Sequence, residues 1–233
     1  MSPLTGVIRE AWDQYRAYAR HLLAISFLLY LGESVIIGVL TRFGGLTGTF
    51  VSWIVDLFFM FLLQAALVKA VQDIRDGRVD LGLRATLEAA LPYVLPVAAA
   101  SILASIAIAV GFVLLIVPGL ILLTFLSLIV PWIVIGRSPA MESFGRSWRT
   151  VRGYGWNVFG TYVLVFLILV LVQLVLGAIF VALPSGVGSF LAGLVAGTLI
   201  SPFIALVVTG VYYRLTSVRA GEPAPPGGAT YAA

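Results

Sequence analysis

The 233-residue chain has no cysteine, a single histidine (His21) and a single lysine (Lys69). Without cysteine there is no disulfide framework, no CxxC redox motif and no thiolate metal site. With one histidine an HExxH zinc motif is impossible and no serine has an imidazole partner. No phosphate-cradling Walker loop is present, and Gly153-Tyr154-Gly155 reads as a loop between an arginine-rich helix and an apolar run. The chain is therefore expected to have no catalytic residues, no metal, no cofactor and no enzyme activity. Charge is scarce as well: 10% of residues are charged and 61% are hydrophobic, against roughly 25% charged in an ordinary soluble domain. That balance excludes a soluble globular protein, a disordered chain and a coiled coil. A nucleic-acid module is excluded too, because a net charge of +4 is diluted by long apolar runs.

Long apolar runs are what the sequence does contain. A helix needs about 20 residues to cross a ~30 Å hydrocarbon core, and six segments approach or exceed that: 22–40, 50–71, 92–117, 119–136, 154–183 and 187–213. None alternates with period two, so a membrane barrel is not indicated. Val117-Pro118-Gly119 and Pro184-Ser185-Gly186 punctuate the runs as tight turns. The expected fold is all-α integral membrane, with six transmembrane helices arranged as three hairpins over residues 1–216. Residues 217–233, with their Pro- and Gly-rich run, are expected to form a disordered tail.

Basic residues sort by position. Arg9, Arg16, Arg20, Lys69, Arg75, Arg78, Arg84, Arg137, Arg146, Arg149, Arg152, Arg214 and Arg219 fall on one side of the expected spans, and only Arg42 falls on the other. Because cytoplasmic loops retain Arg and Lys, both termini are expected in the cytoplasm of a cell-membrane protein. Each hairpin is expected to follow a short amphipathic interfacial helix, at about 4–20, 83–91 and 139–152. The first carries Val7, Ala11, Tyr15, Tyr18 and Leu22, with Ile8, Trp12 and Ala19, on one face and its charges on the other. In the third, Ser138 is the expected cap, Pro139 takes the first position, and Met141, Phe144, Trp148 and Val151 form the apolar stripe.

Three features carry candidate function. Glu33 and Asp56 are the acids inside spans, where each charge costs about 2.5–3.5 kcal/mol at the helix centre. At 1.5 Å rise per residue both fall about 9–10 Å below the outer surface. They are expected to share a proton, face water or meet Arg42, so the cluster reads either as a proton- or cation-coupled site or as a structural ion pair. Arg146, Arg149 and Arg152, with Arg137 nearby, read as contacts for anionic lipid head groups or as products of membrane topology alone. Small residues recur every four positions at Ser189, Gly193, Gly197 and Ser201, and at Ser101, Ser105 and Ala109, as helix-packing faces. His21 is expected to be solvated or to touch head groups at the interface.

Glu10-Ala11-Trp12 with Tyr15-Arg16, the Val117-Pro118-Gly119-Leu120 turn, and the stretch from Pro131 through Glu142 to Ser147-Trp148-Arg149-Thr150-Val151-Arg152-Gly153 with Trp156 carry a resemblance. Over roughly residues 1–215 the chain resembles the bacterial membrane domain associated with glycerophosphodiester phosphodiesterases, which also occurs alone. In the fused proteins a separate soluble domain performs the hydrolysis. The resemblance therefore implies a non-catalytic membrane module associated with lipid or polar-head metabolites, and transfers no catalytic residue. Membrane lipids are the expected partners, with a homo-oligomer or protein partner left open. The alternative from a different class is a small secondary transporter or channel using Glu33 and Asp56.

Overall fold

A computed structural model describes residues 4–181, 183 and 185–221. Among these residues the chain is helical without strands: α1 (Val7–Ala17), α2 (Ala19–Phe43), α3 (Gly45–Asp73), α4 (Leu83–Leu114), α5 (Ile116–Phe125), α6 (Ile129–Val134), α7 (Ala140–Val151), α8 (Gly155–Phe180) and α9 (Ser185–Ala220). Six segments are long and apolar enough to cross a membrane, with α5 and α6 together making the fourth. Helices suit that setting because they satisfy every backbone N–H and C=O within the segment. The chain has the build of a multi-pass membrane protein.

Several boundaries differ from the expected ones, each for a local reason. The loop anticipated at 41–49 is absorbed into α2 and α3, which are separated by Gly44 alone. A Cβ on Gly48 would stand 2.1 Å from the Leu40 carbonyl oxygen, so only glycine allows so close an approach. The interfacial helix expected at 83–91 is not separate but forms the first turns of α4. Pro92 and Pro96 each forfeit a backbone hydrogen bond there, a loss that membrane helices tolerate. The next turn falls at Leu115, in extended conformation, instead of at Val117–Gly119. Pro118 then lies in the first turn of α5, where a missing N–H costs nothing. Helix α9 runs to Ala220 and takes up the start of the expected tail. Positions 222–233, Pro184 and the Ser189 side chain lie outside the described residues.

Buried side chains gather toward one end of the bundle. They include Leu22, Ile25 and Leu29 of α2, Phe61, Leu67 and Val71 of α3, Val94, Val97 and Ala100 of α4, and Phe203, Leu206, Val211 and Leu215 of α9. At the opposite end Val35, Val39, Phe50, Trp53, Val113 and Leu174 are exposed. In a bilayer such side chains need no core, since lipid tails are as apolar as leucine. Helix α8 is nearly bare, burying only Val158 and Val165.

Helix α1 docks against α9. Val7, Ala11 and Gln14 are buried, whereas Trp12, on the expected apolar face of this interfacial helix, stays 50% exposed. Arg214 of α9, 4% exposed, donates to Glu10 at 2.7 Å and to the Thr5 carbonyl at 2.6 Å. Tyr15 donates to the Leu199 carbonyl at 3.1 Å, and burial pushes its phenol above the usual range.

The small-residue face of α9 is used at Gly197, where a Cβ would stand 2.6 Å from the Tyr30 ring of α2. Gly193 has open space instead. The expected face of the third span is corrected by a one-residue rotation. Ser105 and Ala109 are exposed, and the packed side runs through Val97, Ala100, Ala104 and Gly111.

Candidate functional site

The fourth span is discontinuous, with Leu126–Leu128 between α5 and α6. A break in a membrane helix leaves backbone groups without partners, and something must satisfy them. Ser147 of α7 does so. Its hydroxyl donates to the Phe125 carbonyl at 2.6 Å and accepts from the Leu128 N–H at 3.2 Å. One turn on, Thr150 Oγ1 accepts from the Trp132 indole N–H at 3.2 Å. Ser143, Ser147, Thr150 and Val151 are the buried residues of α7.

Of the expected apolar stripe, Val151 is buried and Phe144 packs against the core, whereas Met141 is 71% exposed and Trp148 39%. The buried face of α7 is thus mainly hydroxyl-bearing, and Met141 and Trp148 face outward. Ser138 does not cap α7. The cap position is Pro139, and the Ser138 hydroxyl is buried without a hydrogen-bond partner.

Seating α7 this way fixes its arginines. Arg146, Arg149, Arg152 and Arg219 line one cavity of about 720 Å³ together with Trp132, Thr150 and Gly153. The Arg146 guanidinium lies 5.3 Å from the Trp132 ring centroid and pairs with Glu142 at 3.2 Å. Arg149 Nε donates to the Gly145 carbonyl at 3.2 Å. Arg219 donates to the Arg152 carbonyl and lies 5.8 Å from the Tyr154 ring.

Among the described residues Arg149, Arg152 and Arg219 form no ion pair, and no carboxylate lines the cavity. Four guanidiniums around one space create a field that favours an anion. Their planar forks match phosphate or carboxylate oxygens in pairs.

Three of the four arginines were expected here. Arg137 is the exception: it does not line the cavity, and it turns the chain between α6 and α7 with a left-handed φ of 47°. Arg219, from the end of α9, and Trp132 were missed. Their neighbours in this cavity are distant in sequence, so no local pattern marks them.

The second candidate cluster is only partly assembled. The Glu33 carboxyl neighbours that of Asp56, as their expected common level requires. Arg42 does not join them. It stacks over the Phe43 ring at 5.8 Å and forms no ion pair among the described residues. Asp56 is exposed on α3, and neither acid lines the arginine cavity. A separate mixed-charge cavity of about 650 Å³ holds Lys69, Asp73, Arg75, Asp76 and Asp80. Arg75 lies 3.5 Å from the Tyr213 ring centroid there. His21, expected to be solvated, has a buried Nε2 with no hydrogen-bond partner.

No curated protein and no solved structure matches the chain. A family model matches residues 16–216, and its description assigns no activity and makes no link to glycerophosphodiester phosphodiesterases. The match spans nearly all of the membrane bundle, from the end of α1 into α9. The chain belongs to the family described as Domain of unknown function (DUF7847).

Proposed function

We propose that the protein is a non-catalytic membrane module that binds the phosphate-bearing head group of an anionic lipid. The carrying observation is the cavity in which Arg146, Arg149, Arg152 and Arg219 converge without a lining carboxylate. Under the positive-inside rule this end of the bundle is cytoplasmic, as are both termini. The anionic inner leaflet of a cell membrane then supplies the ligand. Each arginine near such a surface contributes about 1 kcal/mol. Arg149→Ala with Arg152→Ala should therefore weaken binding by about 2 kcal/mol, or about thirtyfold. The test is binding of phosphatidylglycerol, against phosphatidylcholine, to the full chain in nanodiscs. Equal affinity of the double variant and the parent for phosphatidylglycerol would overturn the reading.

A second reading rests on the facing carboxyls of Glu33 and Asp56. In a proton- or cation-coupled transporter or channel these two groups would carry the coupling ion. Proton flux into proteoliposomes that is abolished by Glu33→Gln with Asp56→Asn would support this reading over the first. Flux that the double variant leaves intact would end it.

A further inference from the structure

A second cavity opens beside the arginines and has the opposite character. It is a groove of about 650 Å³ between α5 and α8, with walls built mainly from Val117, Leu120, Ile121, Phe125, Trp156 and Phe159. Gly153 lines both this groove and the arginine cavity, so the two spaces meet at one residue. The Phe125 ring is a wall of the groove. It lies 4.4 Å from the Trp148 ring at a tilt of 40°, and a Cβ on Gly155 would stand 3.1 Å from it, so α8 starts directly against this ring.

From Phe125 to Val117 the groove follows nine residues of α5, eight steps or about 12 Å at 1.5 Å per residue. It is open sideways, with Trp156 86% exposed. Among its walls, Thr124 spends its hydroxyl on the Leu120 carbonyl at 2.8 Å. That leaves the α5 wall apolar in effect.

We propose that this groove holds an acyl chain of the same anionic glycerophospholipid whose phosphate sits among the arginines. The inference rests on the head-group reading above and adds the class of ligand, an amphiphile with phosphate and chain at adjacent sites. A free phosphate or phosphorylated metabolite would fill only the arginine cavity and leave the apolar groove unused. A neutral lipid would fill the groove and leave the Arg149, Arg152 and Arg219 guanidiniums without an anion. Only a molecule with both parts matches the charge of one space and the apolar walls of its neighbour. The shared Gly153 places the two spaces side by side, as head group and chain are in one lipid.

The test compares two probes on the full chain in detergent: phosphatidylglycerol, followed by native mass spectrometry, and water-soluble glycerol phosphate, followed by calorimetry. Ile121→Trp and Val117→Trp, made separately, fill the groove from an exposed wall, so each checks the other against misfolding. The expected result is a tenfold or greater loss of retained phosphatidylglycerol in both, with glycerol phosphate binding shifted less than threefold. If both tryptophan variants retain phosphatidylglycerol as the parent does, the groove inference is overturned while the head-group reading stands. If Arg149→Ala with Arg152→Ala leaves both probes bound as before, the head-group reading itself fails and takes the groove with it.

Discussion

The Ser147 hydroxyl stands 2.6 Å from the Phe125 carbonyl oxygen and so ties α7 to the open end of α5. The Ser147 hydroxyl oxygen also accepts from the Leu128 N–H on the far side of the break. Ser147→Ala removes both partners at a buried site, at about 1–3 kcal/mol for each group left unsatisfied. The expected loss is about 2–4 kcal/mol of stability in mixed-micelle unfolding. Ser143→Ala is the control, because its hydroxyl bonds only to the Ala140 carbonyl within its own helix and should cost well under half as much. Equal effects would mean that Ser147 does not hold the break.

Glu10 and Arg214 join the two ends of the described chain through a nearly buried pair at 2.7 Å. Removing one member of such a pair strands the other charge, at about 3–5 kcal/mol. Glu10→Ala should fall near the lower end, since Glu10 itself is partly solvated and Thr5 still accepts from Arg214. Thermal unfolding in detergent measures the loss. Pairing Glu10→Ala with Arg214→Met should recover most of it, which a loss due only to Glu10 packing would not do.

Tyr30 occupies the space that a side chain at position 197 would need, and its hydroxyl is 2.9 Å from Ser201 Oγ. Gly197→Ala should therefore overpack the contact between α2 and α9 and cost about 1–3 kcal/mol. Tyr30→Ala in the same chain makes room for the new methyl group. A double variant no less stable than Tyr30→Ala alone is the expected outcome. Additive losses would place the damage elsewhere.

Arg42 stacks on Phe43 and not on the intramembrane acids. Arg42→Ala should change unfolding free energy by no more than about 0.5 kcal/mol, as for other exposed surface positions. A loss of several kcal/mol would show that Arg42 is the counter-ion of Glu33 and Asp56 after all.

The membrane class was legible in the sequence because crossing a bilayer demands apolar length, and six such runs leave few alternatives. The break at Leu126–Leu128 was not legible. It contains neither glycine nor proline, and the residue that stabilises it lies 19 positions further on. Which residues of α7 turn toward the protein was not legible either. Beside lipid Met141 and Trp148 can face outward, and Ser143, Ser147 and Thr150 join Val151 in the interior. Arg146, Arg149 and Arg152 were readable as a cluster because they recur every three residues along one stretch of chain. Arg219 was not, because a contact 67 residues away leaves no trace in local spacing.

The packing of the bundle is graded along its length, and this has a mechanical consequence. Where α3 buries Phe61, Leu67 and Val71 and α9 buries Phe203, Leu206 and Leu215, the helices are held to one another. Where Val39, Phe50 and Val113 stand exposed, the surrounding hydrocarbon takes the place of protein neighbours. A bilayer that thins or thickens is therefore met by a stiff end and a compliant one. Mismatch would then be absorbed at the weakly packed end by tilt, away from the packed end that carries the arginine cavity.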